Sequence, residues 1–182
     1  MLPPGHIAAG YLTAYALIKI VRPDISPGEI NQLLYWGMFF GFAPDLDKFW
    51  FFFKNRSLLV VPAGVKKYHR NYFTHAPLLW LVVGLGIFLF AQTGYLKLLG
   101  LILWLGVWSH FILDSLEYGV IWLWPLSDKL FAFRSAGVKL FVTEDKNFFT
   151  HSFKFLHAYA TKSITFYCEI IIILIALIIY LK

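Results

Sequence analysis

The chain has 182 residues, of which 59% are hydrophobic, 20% aromatic and only 14% charged. Soluble domains carry about 25% charged residues, so this composition argues against a soluble globular protein. The length allows one domain, and the single cysteine excludes an intrachain disulfide. The formal net charge of +6 could attract anionic lipid or nucleic acid. No nucleic-acid recognition motif accompanies it, so we expect no nucleic-acid partner.

Two weaker apolar segments come first along the chain. His6–Val21 is a candidate helix, and Leu33–Phe53 is a second candidate that is interrupted by Pro44 and the polar residues after it. The first half of the interrupted segment is shorter than the roughly 20 residues that a membrane helix needs. We therefore expect a broken second helix whose break lies in locally thin bilayer or lines a protein-walled cavity.

Three stronger apolar segments follow. Pro77–Ala91 and Leu98–Leu113 are joined by a short spacer, residues 92–97, and together predict a helical hairpin. Ile164–Leu181 is almost wholly apolar apart from Glu169 and approaches the length of a full span. The sequence thus predicts an all-α fold, a polytopic integral membrane bundle of about five membrane helices with the second broken at Pro44. A single membrane domain is expected over residues 1–182.

Basic residues concentrate in two long polar segments, Lys54–Tyr72 and Asp128–Lys162, which hold five and six of the sixteen Lys and Arg residues. The loops at residues 22–32 and 92–97 hold one each. Because cytoplasmic loops of membrane proteins are enriched in Lys and Arg, the two basic segments are predicted to be cytoplasmic. The N-terminus is then also cytoplasmic. Residues 131–182 are predicted to form a basic cytoplasmic segment followed by the C-terminal membrane helix.

Histidine and aspartate side chains recur where the apolar segments begin or end. Ionisable groups at membrane depth are costly and tend to be kept for function, and imidazole with carboxylate is a set that binds divalent metals. Under the predicted topology these groups all fall on the cytoplasmic side, so we expect them to converge on one metal site. The candidate ligands are His6, Asp45, Asp47, His69, His75, His110 and Asp114.

Spacing and number refine this metal site. His110 and Asp114 are four residues apart, so they share one face of a helix. Seven candidates exceed the three or so protein ligands of one catalytic zinc ion, and a pair of ions would use the surplus. Zinc is the expected metal, although manganese or iron suits the same mixed ligand set.

Four further polar residues lie outside the ligand set. Arg70 is always charged and is a candidate for holding a phosphate or stabilising developing negative charge. Glu117 is a candidate base or spare ligand because it is close in sequence to His110. His151 and His157 are six residues apart and do not share a helix face, so we interpret them as surface or interfacial residues.

Five short motifs occur in one order along residues 1–130, and in that order they resemble a family of inner-membrane proteins. The motifs are Gly5-His6, Pro44-Asp45-Leu46-Asp47, His69-Arg70 with Thr74-His75, Ser109 to Asp114, and Gly119 to Ser127. They resemble the inner-membrane-associated, metal-dependent hydrolases (LexA-binding, YdjM-like) of bacteria and archaea. The resemblance implies a multi-pass inner-membrane protein with metal-dependent hydrolase chemistry.

These expectations combine into one functional hypothesis with two alternatives. The leading hypothesis is a hydrolase at the cytoplasmic leaflet that cleaves a phosphoester of a lipid or lipid-linked substrate, with membrane lipid as its partner. The oligomeric state stays open. One alternative is a non-enzymatic haem protein that uses His75 and His110 as axial ligands. The other is an ion-coupled transporter that relays charge through the buried acids.

Overall fold

The computed structural model describes residues 1–55, 70, 72–134 and 147–182, and within these residues it forms helices and no strand. Short 3-10 helices at Ala43–Leu46 and Phe73–His75 precede the third and fourth α-helices. The all-α prediction is therefore confirmed for the described part of the chain. The α-helices are α1 (Pro3–Val21), α2 (Pro27–Phe42), α3 (Asp47–Asn55), α4 (Pro77–Phe90), α5 (Gly94–Asp114), α6 (Phe148–Lys162) and α7 (Ile164–Tyr180).

Local sequence explains where several helices begin and end. Ser26 and Glu29 form a reciprocal capping box at the start of α2, which satisfies two backbone N–H groups that would otherwise lack partners. The predicted break at Pro44 is confirmed, because α2 ends at Phe42 and a 3-10 turn leads directly into α3. The predicted hairpin is also present as α4 and α5, and the Thr93 side chain caps α5.

Helix α5 is central to the packing, since it contacts α1, α2 and α4. Helix α1 also contacts α7, so the C-terminal helix is part of the same packed unit. The buried core between these helices is formed by small and branched apolar side chains with two aromatic rings, those of Phe40 and Phe111. Its members include Ala14, Leu33, Phe40, Ile102 and Val107.

Glycines allow α1 and α2 to approach at backbone distance. A Cβ atom on Gly10 would lie 2.1 Å from the carbonyl oxygen of Gly37, and one on Gly41 would lie 2.3 Å from the carbonyl oxygen of His6. Neither position can hold a larger residue without separating the helices. This close approach brings the end of α2 against the first turns of α1, where the predicted site begins.

The number of membrane helices is not established. By length and composition α5 alone could cross a membrane, and α6 with α7 passes the same test as a pair that is bent by 82°. Helix α4 is apolar but has only 14 residues. Among the described residues the count is thus one candidate span, or two with the bent pair, so the expected bundle of five membrane helices is not confirmed.

Candidate metal centre

Five of the predicted ligands converge on one buried place. His6, Asp45, His75, His110 and Asp114 are each at most 1% exposed. They come from the start of α1, the 3-10 turn at Pro44, the turn before α4 and the end of α5. The predicted convergence is therefore present for these five residues, which are called the imidazole–carboxylate cluster below. His69 lies outside the described residues.

His110 is held in a single orientation by the backbone. Its Nδ1 lies 2.9 Å from the carbonyl oxygen of Gly41, and a carbonyl can only accept, so the ring donates from Nδ1. In the neutral ring Nε2 then carries the lone pair. Nε2 has no hydrogen-bond partner among the described residues and lies 3.7 Å from both Asp45 Oδ1 and Asp114 Oδ2. This is the tautomer that a metal-binding histidine needs.

His75 is oriented in a similar way, but by a carboxylate. Its Nδ1 lies 3.0 Å from Asp47 Oδ2, and the Thr74 hydroxyl donates to the same oxygen. Its Nε2 lies 3.7 Å from Asp45 Oδ1. Carboxylates commonly hold metal-binding histidines through the second ring nitrogen. The structure therefore places Asp47 behind His75 rather than among the ligand atoms that face one another.

His6 completes the cluster from α1. Its ring stacks on that of His110 with 3.7 Å between centroids, and its Nε2 lies 3.3 Å from Asp114 Oδ1. Two groups of three residues have ligand atoms that all lie within 4.8 Å of one another. The first group is His6, Asp45 and His110, and the second is His75, His110 and Asp114. Both groups have the composition of a divalent-metal site.

Cations balance the buried carboxylates of the cluster. Lys48 Nζ lies 2.6 Å from Asp45 Oδ2, and Arg70 Nε lies 2.5 Å from Asp114 Oδ2. The Met1 amino group lies 2.9 Å from the other oxygen of Asp114. An uncompensated buried carboxylate would cost several kcal/mol, so these contacts help to keep the acids ionised. Arg70 is thus beside the cluster, as the sequence predicts, whereas Lys48 is a contact that the sequence analysis missed.

Glu117 has different partners from those expected. Its carboxylate accepts hydrogen bonds from the Ser163 and Thr165 hydroxyls and from the backbone N–H groups of Ile164 and Thr165. These residues form the start of α7. Burial raises the pKa of Glu117, but the hydrogen bonds outweigh it and hold the pKa below its usual value. The described contacts of Glu117 are those of a helix cap.

Glu169 is a second capping carboxylate, although in the sequence it is only a polar exception in an apolar run. It is 4% exposed and accepts hydrogen bonds from the N–H groups of Leu2 and Gly5 at the start of α1. The Tyr159 hydroxyl donates to it as well. A Cβ atom on Gly5 would lie 2.7 Å from Glu169 Cγ. The glycine beside His6 therefore makes room for this cap, which fixes the helix that carries His6.

The interpretation of His151 as a surface residue is wrong. His151 is fully buried on the same face of α6 as Phe155 and Tyr159, because these residues recur every four positions along the helix. The spacing from His151 to His157 does not reveal this face, whereas the spacing to Phe155 and Tyr159 does. His157 itself is exposed, as expected.

Comparison with known proteins identifies the family to which the chain belongs. No curated protein and no solved structure matches the chain. A family model described as YdjM inner membrane protein matches residues 1–182, so the match also covers residues 131–182, which carry none of the sequence motifs. The match agrees with the apolar composition and with the helix α5 that could span a membrane. The chain therefore belongs to the YdjM inner membrane protein family.

Proposed function

We propose that this inner-membrane protein is a metal-dependent hydrolase that cleaves a phosphoester of a lipid or lipid-linked substrate at the cytoplasmic leaflet. The observation that carries the proposal is the buried Nε2 of His110. Its tautomer is fixed by Gly41, it faces Asp45 and Asp114, and it lacks a hydrogen-bond partner among the described residues. A divalent cation is a ligand that would satisfy such a nitrogen and two nearby carboxylates together.

The residues fit a metal best around His110. His6, Asp45 and His110 would hold the ion, and His75 and Asp114 form the second candidate group with the same His110. Because His110 Nδ1 is engaged by Gly41, only Nε2 can bind, and one nitrogen binds one ion. Both groups of three contain His110, so the geometry supports one ion on His110 more directly than two. Zinc stays the proposed metal, with manganese or iron as alternatives.

The chemistry follows from what such a centre does. A divalent cation bound there would act as a Lewis acid on a phosphoryl oxygen and would acidify water. Asp47 and the Gly41 carbonyl would keep the His75 and His110 rings aimed at the ion. Arg70, positioned by Asp114 through its Nε, would interact with negative charge on the phosphoryl group.

The proposed topology of five membrane helices with a cytoplasmic N-terminus rests on the distribution of loop charge. Residues 56–69 and 71 of the first basic segment and residues 135–146 of the second lie outside the described residues. The haem alternative has less support, because the His75 and His110 rings meet edge to face with centroids 5.4 Å apart. That contact leaves no flat gap for a macrocycle between these two rings. The transport alternative stays a prediction.

Metal analysis of the detergent-purified full-length protein tests the proposal, combined with phosphate release from phosphoester lipids in mixed micelles. The wild type is expected to hold about one equivalent of divalent metal, as one catalytic site requires. His110→Ala is expected to lose both metal and hydrolysis, whereas His157→Ala, which changes an exposed histidine, should retain both. Negligible metal in the wild type, or full metal in His110→Ala, would overturn the proposal.

A further inference from the structure

A cavity of 190 Å³ lies directly beside the imidazole–carboxylate cluster. Its wall is mostly apolar but includes the Tyr118 phenol and two cationic side chains, and those two side chains pair with Asp45 and Asp114. The cavity and the cluster therefore share a wall. The side chains that line the cavity include Leu2, Lys48, Phe52, Arg70, Tyr118 and Phe155.

We propose that this cavity binds the phosphate-bearing end of an anionic lipid, with the phosphate against Lys48 and Arg70 and the first part of an acyl chain along Leu2, Phe52 and Phe155. This inference deepens the proposed function and rests on it for the chemical step. The binding itself requires no metal.

The two cations are held in fixed positions. Lys48 is anchored by Asp45 at 2.6 Å, and its side chain is 22% exposed. Arg70 is anchored by Asp114 at 2.5 Å, and its guanidinium lies 4.3 Å from the centre of the Tyr118 ring. A guanidinium offers five N–H donors in a rigid plane that matches phosphate oxygens. Because each anchor is a residue of the cluster, a phosphate held by both cations would lie next to the candidate ligands.

The size of the cavity and its apolar wall favour a lipid over a small soluble anion. Pockets that enclose a whole small molecule measure roughly 300–1,000 Å³, so 190 Å³ can take only one end of a larger ligand. A free phosphate would gain nothing from the apolar wall. An acyl chain would bury methylene groups there, and removing them from water favours binding, while the rest of the chain stayed in the bilayer.

The two helices beside the cavity expose many aromatic side chains, as helices at a membrane surface do. Phe52 lies on α3 and Phe155 on α6, and both helices also carry strongly exposed aromatic rings. These rings include Phe49, Trp50 and Phe53 on α3 and Phe149 and Phe153 on α6, each more than 60% exposed. Aromatic side chains of this kind are typical of helices that lie at the lipid interface. A lipid could therefore reach the cavity from the bilayer without crossing water.

Lipid titration followed by native mass spectrometry tests the proposal on full-length protein treated with a chelator. The probes are dioleoyl phosphatidic acid, dioleoyl phosphatidylcholine with the same chains, and inorganic phosphate as a competitor. We expect one phosphatidic acid per protein, bound at least about tenfold more tightly than phosphatidylcholine, since a charge-assisted contact contributes about 1.5–3 kcal/mol. Inorganic phosphate should not displace it.

Two pairs of variants locate the binding. Lys48→Met and Phe155→Trp, which remove a cation and fill the cavity, should each weaken phosphatidic acid binding by about tenfold or more. Lys54→Met and Phe153→Trp change exposed positions on the same two helices and should leave binding unchanged. Equal binding in all four variants, or equal binding of the two lipids, would overturn the proposal.

Competition with inorganic phosphate distinguishes a lipid phosphate from a soluble phosphate as the ligand of the cavity. Displacement by inorganic phosphate would assign the two cations to a soluble anion and overturn the lipid assignment. Because the chelator removes divalent metal before the titration, a failure to bind phosphatidic acid does not contradict the proposed metal-dependent hydrolase. Conversely, a protein that binds the lipid but never binds metal would reject the hydrolase and keep the lipid site.

Discussion

Asp45 and Asp114 lie among imidazole rings, whereas Glu117 and Glu169 lie against the first residues of helices. All four carboxylates are at most 4% exposed. The two glutamates accept hydrogen bonds from backbone N–H groups, of α7 for Glu117 and of α1 for Glu169. The two aspartates face ring nitrogens at 3.3 to 3.7 Å and pair with cations.

This contrast separates two uses of a buried acid. A carboxylate at a helix start satisfies N–H groups that lack partners inside the helix, and the helix dipole favours its charge. Such an acid has a sufficient structural reason to be there. The described partners of the two aspartates are cations and histidine rings, and His110 faces both carboxylates with the ring nitrogen that carries its lone pair. The partners of a buried acid, more than its burial, therefore distinguish a candidate ligand from a structural cap.

The largest expected effect is on metal affinity, when a cluster aspartate is changed and compared with a changed capping glutamate. Asp45→Asn should lower the affinity by more than about 100-fold, since even outer-shell changes cost 10–100-fold. Glu117→Gln should change it by less than about threefold, because the described contacts of Glu117 lie at α7. Competitive titration against a chromophoric chelator measures both. An equal loss of metal affinity in the two variants would contradict the distinction between metal-binding and helix-capping acids.

The next effect concerns stability, and Glu169 is the residue to change. Glu169→Gln keeps the size but removes the charge that accepts from Gly5, Leu2 and Tyr159. Hydrogen bonds to charged groups contribute about 1.5–3 kcal/mol, so we expect the free energy of unfolding to fall by about 2–3 kcal/mol. Unfolding in mixed micelles with an increasing fraction of sodium dodecyl sulfate measures the change.

Glu29→Gln is the matched control for that experiment. Glu29 also accepts from a backbone N–H at a helix start, that of Ser26, but this capping box is exposed. Its loss should cost at most about 1 kcal/mol. A Glu169 variant no less stable than the Glu29 variant would mean that the buried cap does not hold α1 in place.

Asp45, His110 and Asp114 were predictable because each carries a local signal. Pro44 ends a helix directly before Asp45, and His110 precedes Asp114 by four residues, which puts them on one face. The capping role of Glu169 has no local signal. Its partner Gly5 is 164 positions away in sequence, and the contact exists only because α7 packs on α1. The burial of His151 could have been predicted from its spacing to Phe155 and Tyr159.

The smallest effect is the pH dependence of the Glu117 cap. The pKa of Glu117 lies below its usual value because the hydrogen bonds from Ser163, Thr165 and the backbone of α7 outweigh the effect of burial. The ionised form therefore stabilises the fold. That stabilisation is complete above the unfolded pKa of about 4.3 and is lost as the pH falls from there through the folded pKa.

Comparing the unfolding of wild type and Glu117→Gln at pH 7 and at pH 3.5 checks this effect. The wild type should be more stable by about 1–2 kcal/mol at pH 7, and the difference should shrink at the lower pH because only the wild type takes up a proton at this position. Ser163→Ala removes one donor hydroxyl and should reduce the pH-dependent part without abolishing it, since the N–H groups of Ile164 and Thr165 remain. A difference that stayed constant with pH would show that Glu117 is not ionised at this helix start. Glu169 would then be the remaining example of an ionised cap to compare with the aspartates.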